Sequence, residues 1–293
     1  MSSTVFDLAT VIGALDQIDS HLKSKSPWTP SGPVQERVLA LRDRFTSSVA
    51  RLRHLEGLAS EDADELNRFL AERDFSYRFA PLNQAEFGAA SAIREATVWP
   101  KPGQAVPIEI DGADWHGFLL KAHISAWPTA PGLLVRMPSS ETDQSIMWVL
   151  MADQAPDGSD PLELFEFAAA ALAKTHLTPM AYDSVTMPTE SLQTTTELGW
   201  LKGLGRSGAT ITSAAQEAIL RIDRLGSEAK VATAMVALRG IMVSRDLVVD
   251  RPHLVFWTDT AVPDLPLAVA RFEADAWTAY DPTRAATENA LPR

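Results

Sequence analysis

Apolar residues recur at three- and four-residue intervals near the start of the chain, at Val5, Leu8, Ile12, Leu15, Ile18 and Leu22. One face of an α-helix repeats every 3.6 residues, so this spacing predicts an amphipathic helix over 4–22. A Ser/Pro-rich linker, SKSPWTPSGP, follows at 24–33. Val38, Leu41, Phe45, Val49 and Leu52 keep the helical interval and predict a second helix over 34–57. Ser60 is placed to cap a third, because its hydroxyl can accept from a free N–H of the first turn. Glu61, Asp62 and Asp64 suit the positive end of that helix.

From about residue 75 the texture changes. FSYRFAPL (75–82), GFLLKAHISAW (117–127), GLLVRMP (132–138), QSIMWVLMA (144–152), AILRI (218–222) and HLVFW (253–257) are short strand-like runs between Pro, Gly and Asp turns. One helical stretch, PLELFEFAAAALAKTH (161–176), interrupts them, and no internal repeat is present. Helices first and strands later predict an α+β fold with at least one large, mostly antiparallel sheet. The expected organisation is a single domain over 1–280, helical over 1–75 and sheet-rich over 76–280, with a mobile tail over 281–293.

Composition narrows the function classes. The chain has 293 residues, of which 46% are hydrophobic and 22% charged, enough to build a sizeable core. A net charge of −12 argues against nucleic acid or an anionic membrane as the main partner. The absence of cysteine excludes disulfides and thiol catalysis. The first 22 residues carry Asp7, Asp16 and Asp19 and no basic leader, so they read as neither a secretory signal nor a membrane span. The expected location is cytoplasmic, or secreted by a route not visible here.

Conventional catalytic chemistry is poorly represented. GLGRSG (203–208) matches the glycine pattern of dinucleotide-binding turns, but it precedes a strand instead of joining strand to helix, so it reads as a loop. His116 and His123 lie seven residues apart on one predicted strand, which points them to opposite faces and denies them a shared metal. No GxSxG, HExxH or paired-carboxylate motif occurs, and no enzyme activity, metal or cofactor is expected.

One stretch resists these readings. GSEAKVATAMVALRG (226–240) is small and aliphatic almost throughout and then ends on a lone cation, Arg239. Taken alone it is an Ala-rich exposed loop or a short helix, and Arg239 an ordinary surface charge. Its surroundings suggest more. EAILRIDRLGSEAKVATA (217–234) resembles the segment of the serpins, the serine protease inhibitor family, that runs from a core strand into the reactive-centre loop. The hinge of that loop corresponds to Gly226, Ser227, Glu228 and Ala229, with small residues to Ala234, while Arg224 and Leu225 stand where the family usually has an acidic pair. RPHLVFW (251–257) and LPLAVARFEADAW (265–277) resemble the family's Arg-Pro strand and closing strand. ASAIREATVW (90–99), AVPIEI (105–110) and SVTMPTESLQTTTELGWLKGLG (184–205) resemble further segments in the right order.

The resemblance spans 89–277 and implies a serpin-like fold with an exposed reactive-centre loop. It makes Trp99 the tryptophan at the breach, where the loop begins to insert, and puts Trp99 at one end of a central strand of the largest sheet. Serpins offer this loop as protease bait, and after cleavage it enters the sheet as a new strand. From Gly226 on, Ser227, Ala229, Val231, Thr233 and Met235 fall on one strand face, and Glu228 and Lys230 on the other. Every charge up to Met235 therefore lies on one side. The bait bond is taken as Arg239–Gly240, which a trypsin-like protease would select; Gly240–Ile241, Met242–Val243 and Leu238–Arg239 are the alternatives. Two functions stay open: a monomeric inhibitor that traps a serine protease, or a non-inhibitory serpin-like module that binds a protein by its loop or a sheet edge.

Overall fold

The computed structural model describes residues 2–24, 26–84, 86–140, 144–152, 154–157, 159–227 and 245–290. Its elements begin with β1 (Thr4–Phe6), α1 (Leu8–Leu22), α2 (Pro33–Val49), β2 (Leu55–Ser60), α3 (Ala63–Ala71), β3 (Gly88–Ile93) and β4 (Thr97–Val98). Next come β5 (Gln104–Ile110), β6 (Ala113–Thr129), β7 (Gly132–Arg136), β8 (Ser145–Ala152), α4 (Pro161–Leu172), β9 (Met180–Pro188) and β10 (Glu190–Glu197). The chain continues through β11 (Gly205–Arg206), β12 (Ala209–Thr210), β13 (Ala215–Asp223) and β14 (Gly226–Ser227). It closes with β15 (Asp246–Val248), β16 (His253–Asp259), β17 (Val262–Phe272) and α5 (Pro282–Ala290). This is the expected α+β arrangement. The chain divides into two compact units, one of Met1–Phe6, Glu95–Gln193 and Ile219–Arg293, the other of Asp7–Arg94 and Thr194–Ala218.

The first unit is built on a nine-stranded sheet in the order β1-β17-β16-β8-β7-β6-β9-β15, with β5 branching from β6. Its neighbours pair antiparallel except β15, which runs parallel to β9. β16 is buried at every position, as a strand covered on both faces must be, which is why LVFW (254–257) is apolar without alternation. Leu134, Trp148, Leu150, Leu254, Phe256 and Val269 form one core with Leu164, Ala168 and Ala171 of α4. The tail after 281, read from the sequence as mobile, contains α5. Its first turn is capped by Asp281, whose carboxylate accepts from Thr283 N at 2.8 Å, and Ala285 is buried.

In the second unit α1 packs on β2 and β3 through its apolar stripe, from Leu8 to Leu15. The approach is close: a Cβ on Gly13 would lie 2.4 Å from Ser91 Oγ. Three expectations are corrected here. The second helix stops at Val49, and Leu55–Ser60 pair antiparallel with β3 as a strand. Gly57 weakens helix in that stretch, and a Cβ on it would meet the Gln17 side chain of α1 at 2.7 Å. The third helix is capped by Asp62, which accepts from Asp64 N at 2.9 Å, while Ser60 ends β2 and bonds Glu65 Oε2 at 2.5 Å. Residues 75–82 form no strand. Phe75, Tyr77, Phe79 and Leu82 pack on Leu66 and Leu70 of α3. Side chains, not a ladder, take three N–H groups of the run: Glu217 accepts from Ser76 N at 2.8 Å and Tyr77 N at 2.7 Å, and Asn67 Oδ1 from Phe79 N at 2.7 Å.

Candidate functional site at one end of the four-stranded sheet

The stretch singled out in the sequence begins in a second sheet of order β10-β13-β14-β4. β13 ends at Asp223, turns through Arg224 and Leu225, and returns as β14. Ile222 opposes Ser227 and Asp223 opposes Gly226 across this tight hairpin. On its other side β14 pairs antiparallel with β4, Gly226 opposite Val98 and Ser227 opposite Thr97. The first two residues of the expected hinge are thus a strand between two strands. Glu228, Ala229, Val231, Thr233, Arg239 and Gly240, the rest of the hinge and the bait bond, lie outside the described residues.

The local chemistry explains why these two residue types stand here. A Cβ on Gly226 would sit 2.4 Å from Thr97 O, so only glycine lets β14 approach β4. Ser227 is 2% exposed, yet its hydroxyl is satisfied. Ser227 Oγ accepts from Thr97 N at 3.2 Å and from the indole N–H of Trp257 at 3.1 Å. Trp257 belongs to β16 and is itself buried.

Trp99 directly follows β4 and is 3% exposed. Its Nε1–H donates to Asp223 O at 2.8 Å, and its ring stacks on Phe118 at 6.2 Å between centroids. It therefore meets the end of β13. The sheet is the four-stranded one, however, and not the largest, which corrects the expected placement. The chain leaves the ladder at Arg94–Ala96, so only Thr97 and Val98 of the expected strand pair here. Gly226, Ser227 and Trp99 come together; Thr97 and Trp257 complete the site and were not anticipated. The one signal was chemical: a tryptophan in an apolar core strand needs an acceptor for its N–H.

Two ionisable side chains are buried in the same unit. His253 and Glu190 have fully buried side chains with Nε2 and Oε1 3.0 Å apart, an ion-pair distance off the axis of a well-aligned hydrogen bond. His253 Nδ1 bonds Arg251 O at 2.9 Å, and Trp277 Nε1–H donates to Glu190 Oε1 at 3.1 Å. Burial alone would push the His253 pKa down; the Glu190 carboxylate, helped by the Arg251 carbonyl and Glu273, outweighs it and holds the pKa up.

The remaining motifs carry no chemistry of this kind. GLGRSG lies over the β11–β12 hairpin, whose turn uses Ser207 at φ 51° and Gly208 at φ 84°. His116 is buried and His123 exposed, and among the described residues no group of three His, Cys, Asp or Glu is placed to hold a metal ion. Among the same residues no helix is long and apolar enough to cross a membrane.

The sequence matches no protein-family model and no curated protein. The fold does match solved structures. Maspin aligns at a TM-score of 0.61 and 11% identity, over 92% of this chain and 92% of maspin. A highly specific serpin of the insect Tenebrio molitor aligns at 0.57 and 11% identity, over 92% and 91%. Thyroxine-binding globulin in complex with thyroxine aligns at 0.56 and 12% identity, over 92% and 92%.

Proposed function

We propose that this protein, a divergent chain of the serpin fold, is a monomeric inhibitor of a serine protease that acts by cleavage and insertion of the segment after Ser227. The observation that carries this reading is the seating of Gly226 and Ser227 between β13 and β4. A chain that enters a sheet there has already started a strand. Ser227 faces inward and is buried. Continued with the two-residue period of a strand, Ala229, Val231 and Thr233 would follow it inward, and Glu228 and Lys230 would face out. A small or apolar inner face with charge on the outer one is what insertion demands, since an unpaired charge in the core is costly.

In the proposed cycle a trypsin-like protease attacks the Arg239 carbonyl with its serine. The peptide bond to Gly240 breaks, the Gly240 amine leaves, and an ester joins Arg239 to the protease. Zipping the segment into the sheet adds ladder hydrogen bonds and buried side chains, which supplies the free energy to displace the bound protease. The chain itself is not an enzyme in this reading and needs no cofactor. It works as one domain over 1–280, in the cytoplasm or outside the cell.

The test is incubation with trypsin followed by denaturing electrophoresis. An adduct that survives SDS near the summed masses supports trapping; clean cleavage without adduct removes it. The second reading is a non-inhibitory protein-binding module. It is favoured by the short edge strand β15, which pairs only with β9 among the described strands and exposes Val248. A partner strand would add to that edge.

A further inference from the structure

Arg224, which stands where the resemblance calls for an acid, has a partner at the far end of the chain. Glu288 Oε2 of α5 lies 3.8 Å from Arg224 Nε and 3.0 Å from Nε2 of His116, a buried residue of β6. Glu288 Oε1 accepts from Arg284 Nε at 2.7 Å one turn back along α5. One residue on, Asn289 bonds both backbone groups of Ala105 in the edge strand β5. Its Oδ1 accepts from Ala105 N and its Nδ2 donates to Ala105 O, each at 2.9 Å. Ala285, Glu288 and Asn289 share one helix face, at i, i+3 and i+4, and Ala285 is buried beneath it. The turn that α5 reaches is held from a second direction, because Gly103 N donates to Arg224 O at 2.6 Å. Arg224 is 9% exposed, while its neighbour Leu225 is 48% exposed.

We propose that α5 is a latch on the β13–β14 turn. Docked, it keeps Arg224 paired and buried and so keeps Gly226 and Ser227 seated between β13 and β4; undocked, it frees that turn and lets β14 leave the sheet. Its docking contacts include the Glu288 carboxylate, the Asn289 carboxamide and the buried Ala285. It acts on the seating of β14 whatever protein the segment after Ser227 meets, so it stands or falls separately from the inhibitor reading.

Amide hydrogen exchange of the full chain tests it, with Ile222–Ser227 as the reporter and β8 as the internal control. In Glu288→Ala and in Asn289→Ala, exchange over 222–227 is expected to quicken on the order of tenfold while β8 is unchanged, as for loss of a charge-assisted or paired backbone contact at a local opening site. Arg224→Met, which keeps the apolar stem and removes the charge, should also quicken exchange over 222–227, by no more than Glu288→Ala, which in addition takes the carboxylate from His116 and Arg284. The double variant Glu288→Ala/Arg224→Met should not exceed Glu288→Ala, because that single variant already breaks the link to Arg224. Unchanged exchange over 222–227 in these variants overturns the latch. So does equal acceleration in β8, which would make α5 a general stabilising element. If one of the three single variants fails to fold, the other two still decide.

Discussion

The indole N–H of Trp257 donates to Ser227 Oγ at 3.1 Å, with Trp257 2% and Ser227 2% exposed. This bond joins β14 of the four-stranded sheet to β16 of the nine-stranded sheet. The hydroxyl also accepts from Thr97 N, so one small side chain satisfies two buried donors.

Ser227→Ala should therefore cost more than its size suggests. It strands two buried N–H groups, and an unsatisfied buried donor costs about 1–3 kcal/mol. A lower denaturant midpoint with unchanged slope is expected. A midpoint equal to that of wild type would mean water replaces the hydroxyl and the seating of β14 needs no serine.

Gly226→Ala acts on the other neighbour. Its Cβ would meet Thr97 O at 2.4 Å, and backbone cannot swing aside as a side chain can. Loss of β14–β4 pairing and a destabilisation of roughly 1–3 kcal/mol are expected. Tryptophan fluorescence offers a second readout, to which Trp99 contributes, since its N–H bond to Asp223 sits at the same turn. An unperturbed spectrum and stability would refute the close-approach account.

If the segment after Ser227 is bait, limiting trypsin should cut first after Arg239, which N-terminal sequencing of the first fragment identifies. The cut protein should then melt at a higher temperature than the intact one. Each inward aliphatic side chain, such as Val231, contributes roughly 1.5–3 kcal/mol when buried. Val231→Arg and Thr233→Arg should abolish the gain, and Ala232→Arg, on the outward face, should leave most of it. A melting temperature that stays level or falls on cutting would leave the binding-module reading in front.

Two buried or half-buried pairs give opposite pH signatures. The His253 pKa is raised above 6.5, so the stability it contributes is complete below that value and is lost as pH rises through the raised folded value. Burial would lift the Glu288 pKa, but hydrogen bonds from Arg284 and His116 outweigh it and hold the carboxyl below 4.5. Its contribution is complete above 4.5 and fades as pH falls through the lowered value. Melting temperature against pH should lose its alkaline slope in Glu190→Gln and part of its acid slope in Glu288→Gln. An alkaline slope that persists in Glu190→Gln would assign it to another group.

Much of the fold was written in local periodicity. The three- and four-residue apolar spacing of α1 and the strand runs inside β6, β8, β13 and β16 are properties of a few consecutive residues, and they appear where expected, save that Thr4–Phe6, expected as the start of the first helix, pair with β17 as β1. Gly226 and Ser227 were singled out through the resemblance of 217–234 to a serpin strand and hinge, a likeness carried by consecutive residues. Tertiary structure decided the rest. LEGLAS at 55–60 became a strand because β3 offers it a ladder. The aromatic run at 75–82 stayed irregular because Glu217 and Asn67 took its N–H groups from outside the segment. Arg224 sits in the β13–β14 turn beside Glu288, and Ser227 meets Trp257, through contacts between residues far apart in the chain. No window of sequence contains both partners of such a pair; only folding, by bringing them out of water together, makes either residue's chemistry readable.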